Sequence, residues 1–200
     1  MRNFLFIILL FLFGCDSPES HFSVAGTGKA IIINANDPSL HFQNGYRYYK
    51  GKLFSGIIEE HFKDQTVQQS TQYENGKENG WSQTFFTGGK IAEKRFYLNG
   101  EKDSAHTGWW PNGNRRFEYH FSNGIYNGDY KEWYESGKLL KHVHYVNGVD
   151  SWGKGWRENG KIYMNFVMKE GRRYGLNNSN LCYTVKKGNG EFVASVEGSK

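Results

Sequence analysis

The stretch Tyr97–Asn147 holds Asn99-Gly100, Trp109-Trp110-Pro111-Asn112-Gly113, Asn123-Gly124 and Trp133-Tyr134-Glu135-Ser136-Gly137, and it runs into Asn147-Gly148. Two series of glycines alternate here. One is Gly76, Gly100, Gly124 and Gly148, at intervals of 24; the other is Gly89, Gly113, Gly137 and Gly160, at intervals of 24, 24 and 23. Repetition at a fixed period in this range signals an array of supersecondary units, none of which buries its apolar face alone.

Asn-Gly between short runs rich in Tyr, Phe, Trp and Val is a hairpin signal. Tight hairpin turns need positive φ, which asparagine and glycine tolerate. Two turn sites per period predict two strands of about six to eight residues per unit. The strand before each Asn-Gly alternates. Phe117, Tyr119 and Phe121 face one way; Glu118, His120 and Ser122 face the other. Val143 and Tyr145 repeat this between His142 and His144, and Phe166 and Met168 continue it. Such alternation marks a half-buried strand. The expected fold is all-β: an elongated antiparallel β-hairpin repeat array, a single twisted sheet, of about five to six repeats. Burying one large aromatic contributes about 1.5–3 kcal/mol, against about 1–2 kcal/mol for each residue ordered. Only neighbours that cover neighbours offset that cost.

Three aromatic columns follow the period. Tyr48, Tyr73, Tyr97, Phe121 and Tyr145 stand three residues before a glycine, with Met168 as the last rung. Phe85, Trp109, Trp133 and Trp156 form the second column, and Phe86, Trp110, Tyr134 and Arg157 the third. Adjacent strand residues point to opposite faces. The column that stays aromatic to Trp156 is therefore expected inside, and the one that ends in Arg157 outside. Phe86, Trp110, Tyr134 and Arg157 are the candidate binding face, since aromatic and Arg side chains are the usual interface hot spots. Aromatic rings also stack on sugars, so a glycan competes with a protein as ligand. The plainer reading is that both columns only pack.

No Ser/His/Asp order, phosphate loop, Cys-x-x-Cys or paired-carboxylate motif stands out. Glu59-Glu60-His61 lacks the second histidine of a zinc-protease helix. The expectation is a protein without catalytic residues or cofactor. His142 and His144 share a strand face, with His120 one repeat before His144. Equivalent positions lie two strands apart, about 10 Å. That is wide for tetrahedral ligation, so solvated histidines and no metal are expected.

Residues 1–14 read as a signal peptide. Arg2 precedes an apolar run, Phe4 to Phe13, that is too short to span a bilayer. Leu12-Phe13-Gly14-Cys15 resembles the bacterial lipobox, which implies lipidation of Cys15; Phe13 departs from the pattern, where a small residue is usual. Acylation by several chains gives stable anchoring. The expected location is the bacterial cell envelope, periplasmic or at the cell surface. Residues 15–28 read as a flexible tether, 29–187 as the repeat domain and 188–200 as a tail. Within the domain, Ala30 to Asn34 is a first short strand, and Leu40 to Gly45 an incomplete repeat, followed by Tyr46 to Tyr49. Asp64 stands where a second-series glycine is due, and Leu181 to Val185 supplies a last strand. With Cys15 lipidated, Cys182 has no partner and no disulfide is expected. The net charge of +5 is dispersed over Lys77, Lys90, Lys138 and Lys161. A dispersed excess reads as solvated turns, and export argues against nucleic acid.

Tyr73-Glu74-Asn75-Gly76-Lys77-Glu78-Asn79-Gly80-Trp81 resembles a MORN-type repeat, in the variant of bacterial YwqK-type proteins. Asn123-Gly124-Ile125-Tyr126-Asn127-Gly128 repeats the pattern, and Leu53-Phe54-Ser55-Gly56 is similar to the family's opening. The resemblance covers residues 44 to 175 and departs at Asp103-Ser104-Ala105 and Ser151-Trp152-Gly153. It implies an antiparallel hairpin array without catalytic residues, in a family labelled as antitoxins or membrane-associated binding proteins. An exported protein does not meet a cytosolic toxin. The expectation is therefore a membrane-anchored scaffold that holds an envelope protein. An immunity protein against an incoming toxin and a cell-wall glycan-binding module are the alternatives.

Overall fold

The computed structural model describes residues 30–176. The signal peptide, Cys15, the tether, Leu181 to Val185, Cys182 and the tail lie outside the described residues. The strands are β1 Ile32–Asn34, β2 Leu40–Gln43, β3 Tyr46–Tyr49, β4 Lys52–Leu53, β5 Gly56–His61, β6 Val67–Glu74, β7 Lys77–Phe85 and β8 Ile91–Leu98. They continue as β9 Glu101–Trp109, β10 Arg115–Ser122, β11 Ile125–Trp133, β12 Leu139–Val146, β13 Val149–Trp156, β14 Ile162–Lys169 and β15 Arg172–Leu176. From β5 to β15 each strand pairs with the next, antiparallel, in one open twelve-stranded sheet; β1 lines its first edge parallel to β5. The expected all-β hairpin array is what the chain forms.

Its turns follow from residue chemistry. At Asn123-Gly124 the φ values are 49° and 81°, and at Asn99-Gly100 they are 52° and 88°. Positive φ at both central residues twists the turn in the sense of the flanking strands. The second-series turns are wider. Gly113 N donates to Trp110 O (2.8 Å), and Trp110 N donates to Asn114 O (2.8 Å). Gly89, Gly137 and Gly160 close the same turn on Phe86, Tyr134 and Arg157. In the first unit the glycine slot belongs to Gln65, with φ 68°, and not to Asp64. Asp64 instead accepts from Thr66 N at 3.0 Å and from its hydroxyl at 2.6 Å.

Successive hairpins are laced through their turns. Gly76, Gly100, Gly124 and Gly148 donate their N–H to Phe54, Glu78, Lys102 and Tyr126 O, at 2.7–2.8 Å. One residue earlier, Asn75, Asn99 and Asn147 N donate to the side chains of Ser55, Asn79 and Asn127, at 2.9–3.2 Å. Asp103 stands in the same relation to Asn123 N, at 3.4 Å. The polar residue three places after Asn75-Gly76, Asn99-Gly100 and Asn123-Gly124 thus holds the next turn. Asn127→Ala should cost about 1 kcal/mol, read as a lower urea midpoint.

The register puts small residues opposite large rings: Gly108 faces Phe117, Gly153 faces Phe166 and Gly128 faces Tyr145. At Gly108 and Gly153 the ring lies over the neighbouring strand where a side chain is missing. Gly80 and Gly128 also take positive φ, and Ser104 fills the intervening slot at φ 57°. The altered motif at Asp103-Ser104-Ala105 therefore keeps the backbone of its neighbours. Ser104→Gly and Gln65→Gly should each stabilise by about 0.5–1 kcal/mol, since glycine carries no steric penalty there. That corresponds to a rise of a few degrees in the thermal midpoint for a domain of this size.

The strands β2, β3 and β4 form a separate three-stranded sheet. Leu40 and Tyr49 from it pack on Ile33, Phe54 and Ile58, so it caps the first edge. Tyr48, expected as the first rung of a column, sits in this cap and stacks on His41 at 5.3 Å. The end unit has a neighbour on one side only, and it folds over the sheet instead of extending it. At the other end, Val143, Met164 and Phe166 form a second buried cluster.

Candidate functional site

Face assignment follows from the pairing. Phe117 stands opposite Glu132, Tyr119 opposite His106 and Tyr130, and Tyr130 opposite Val143. These residues share one face, the aromatic face. Phe117, Phe121 and Val143 are buried there. Their cover is other rings: Phe117–Tyr119 centroids lie 4.6 Å apart, Tyr119–Tyr130 4.2 Å and Phe121–Tyr126 4.5 Å. His106 bridges the column between Tyr97 and Phe121, at 5.4 and 4.6 Å. Burial lowers its pKa, against the opposing pull of the Phe96 carbonyl. A carbonyl only accepts, so Nε2, 2.8 Å from Phe96 O, carries the proton.

A groove of about 480 Å³ crosses this face. Arg95, Lys102 and Arg116 line it, together with Trp110, Trp133 and Tyr126. Glu132 is its acidic point, accepting from Tyr119 OH at 2.8 Å and from Tyr130 OH at 2.6 Å. Burial first, then for Tyr130 the bond to Glu132, pushes both phenol pKa values up, so both hydroxyls stay donors. Glu93 pairs with both Arg95 and Arg116. The cations lie over rings: Arg116 over Phe117 at 5.1 Å, Lys102 over Phe121 at 5.2 Å and Lys141 over Tyr130 at 4.7 Å.

The four candidate residues occupy equivalent places, each opening a second-series turn. The expected split into an inner and an outer column does not form. Phe85, Trp109, Trp133 and Trp156 are half-buried, and so are Phe86, Trp110, Tyr134 and Arg157. Trp110 and Trp133 line the same groove. Strand alternation ends at the turn, and a register shift follows it. Trp110 Nε1 donates to Trp133 O at 3.1 Å, and Tyr134 OH to Trp156 O at 3.0 Å. These two side chains tie one repeat to the next. Arg157 lies over Tyr163 at 5.9 Å. Of the four, only Trp110 is among the residues that line the groove.

Sequence reasoning missed Arg95, Lys102 and Arg116. Alternation assigns Arg116 to the face opposite Phe117. The register shift between Arg115 and Phe117 brings it round to the same side. The usable signal was positional: Ala92, Arg116, Leu140 and Tyr163 stand three residues after successive second-series glycines.

On the other face, two histidines meet the Asp129 carboxylate and a third meets its backbone carbonyl. His144 Nδ1 is 2.9 Å from Asp129 Oδ1, and His120 Nδ1 is 3.0 Å from the Asp129 carbonyl. His142 Nε2 is 3.1 Å from Oδ1 but out of hydrogen-bonding alignment, buried there without a partner. Lys131 Nζ is 2.7 Å from Oδ2. Trp152 stacks on His144 at 6.0 Å and meets the edge of His142 at 4.6 Å. The histidines are thus half-buried, and His120 and His144 are hydrogen-bonded, where solvated ones were expected. Asp129, on the strand between theirs, draws them together. Among the described residues no three His, Cys, Asp or Glu side chains are placed to hold a metal. Compared with known proteins, the chain matches no family model, and no curated protein matches it either.

Proposed function

We propose that this chain is a non-enzymatic, lipid-anchored scaffold of the MORN-like, YwqK-type class, which holds a protein partner at the bacterial cell envelope. The observation that carries this reading is the groove on the aromatic face. Among the described residues, the strands flanking it have no second layer over them, so rings and cations meet the surroundings directly. Aromatic and Arg side chains in a concave site are the residue types that dominate protein interfaces. The lipobox-like Leu12-Phe13-Gly14-Cys15 supports the anchor.

Two measurements test it. Cys15→Ala should move the protein from the membrane to the soluble fraction; continued membrane retention rejects the anchor. A photocrosslinker in place of Lys102, in the groove, should trap one discrete partner in intact cells. The same group in place of Lys94, which lies over Trp81 on the other face, should not. Equal trapping from both positions rejects the groove as the binding surface.

A further inference from the structure

We infer that the groove takes an acidic, extended segment of the partner protein, held by Arg95, Lys102 and Arg116; the inference rests on the function proposed above.

Free ring faces are scarce in the groove. Phe117 stacks on Tyr119 with 14° between planes, Tyr119 on Tyr130 with 18°, and Tyr126 on Tyr145 with 29°. Arg116, Lys102 and Lys141 lie over Phe117, Phe121 and Tyr130. Sugar stacking needs a flat, open ring face, and most of these rings are already taken by another ring or a cation. The groove therefore presents N–H donors, which favours an anion over a neutral glycan.

The charge balance points the same way. Glu93 is shared between Arg95 and Arg116, so each guanidinium keeps donors to spare. Among the described residues no carboxylate is within ion-pair distance of Lys102. Yet Glu93 and Glu132 stand among the cations, so a uniformly charged polyanion would meet repulsion. A polypeptide that places a carboxylate at every second residue avoids it.

The spacing fits. Arg95, Lys102 and Arg116 belong to β8, β9 and β10 and are spread along the strands: Lys102 pairs with Tyr97, while Gly108, six residues on, pairs with Phe117 beside Arg116, about 20 Å away along the strand. Alternate side chains of an extended chain stand about 7 Å apart. A segment of about six residues laid along the strands brings alternate carboxylates to the three cations, with bidentate Arg contacts available.

The test uses the full chain in detergent and a fluorescein-labelled Glu-Ser repeat peptide of twelve residues, read by anisotropy. Lys-Ser and Gln-Ser peptides and dextran sulfate serve as comparisons. The Glu-Ser peptide should bind, and more weakly as salt rises. Lys102→Gln should weaken it about 5-fold and Arg116→Gln about 10-fold, as for charge pairs at interfaces. Lys94→Gln should leave it within about 2-fold. Arg116 also supports Glu93 and Trp110, so Lys102→Gln, checked by an unchanged melting curve, is the deciding variant. Equal binding of the Gln-Ser peptide, equal loss with Lys94→Gln, or no binding overturns the inference. Dextran sulfate binding as tightly, with the same variant response, makes the groove a general anion site and also overturns it. If the crosslink from position 102 persists while the peptide fails, the scaffold stands and the acidic segment falls. Peptide binding without any crosslinked partner has the opposite meaning.

Discussion

Phe117→Ala is expected to lower the unfolding free energy by about 3–5 kcal/mol. Gly108→Ala, a gain of one methyl group on the next strand, should lower it by about 1–3 kcal/mol. The two residues stand opposite each other, and a β-carbon at Gly108 would run into the Phe117 ring. The φ of Gly108 is not positive, so alanine carries no backbone strain there and its cost is overlap alone. Phe117 is 6% exposed although, among the described residues, the sheet has no second layer at this point, and the bare backbone of β9 is part of its cover. The decisive measurement is the double-mutant cycle in urea. With Phe117 reduced to alanine, Gly108→Ala should cost nothing, because the ring it strikes is gone. The coupling should then equal most of the single-mutant cost, about 1–3 kcal/mol. Additivity within about 0.5 kcal/mol would mean that glycine serves some other purpose at this position.

That pairing shows what the sequence makes readable and what it hides. The Asn-Gly turns and the alternation of Phe117, Tyr119 and Phe121 are local properties, written within a few residues, and the strand order follows from them. Ser55, Asn79, Asp103 and Asn127 also recur at a spacing of 24. Their place as holders of the next turn is legible once a turn amide is asked where its hydrogen bond goes. Tyr48 was misplaced because periodicity assumes a neighbour on each side, and the first unit lacks one. Alternation assigns Trp110 outward, but it stops where the Trp110 turn begins. Arg116 was invisible because the register shift after the turn reverses its face. The site is built where the period is locally broken, and for that reason pattern alone did not reach it.

Asp129→Asn is the other substitution from which a large effect is expected, and its effect depends on pH. The carboxylate only accepts, so His144 Nδ1 must carry its proton toward it, and Lys131 occupies the second oxygen. Burial raises the Asp129 pKa, but the bonds from Lys131 and His144 and the nearby His142 outweigh it and hold the carboxyl well below the usual range. The folded value is thus below the unfolded value of about 3.9. A depressed carboxyl contributes stability that is fully present above the unfolded pKa and is lost as pH falls through the folded one. The urea midpoint of the wild type should therefore hold near neutrality and decline below about pH 4. The amide removes the charge while keeping the shape. It should cost about 1–2 kcal/mol at pH 7, a moderate figure because the side chain is 30% exposed and water screens the pairs. Below about pH 4 the two proteins should draw progressively closer, since the unfolded wild-type chain then takes up a proton that the folded carboxylate still resists. A difference that persists undiminished at low pH would place the cost in packing against His142, His144 and Trp152, and the ionic account of this cluster would be wrong.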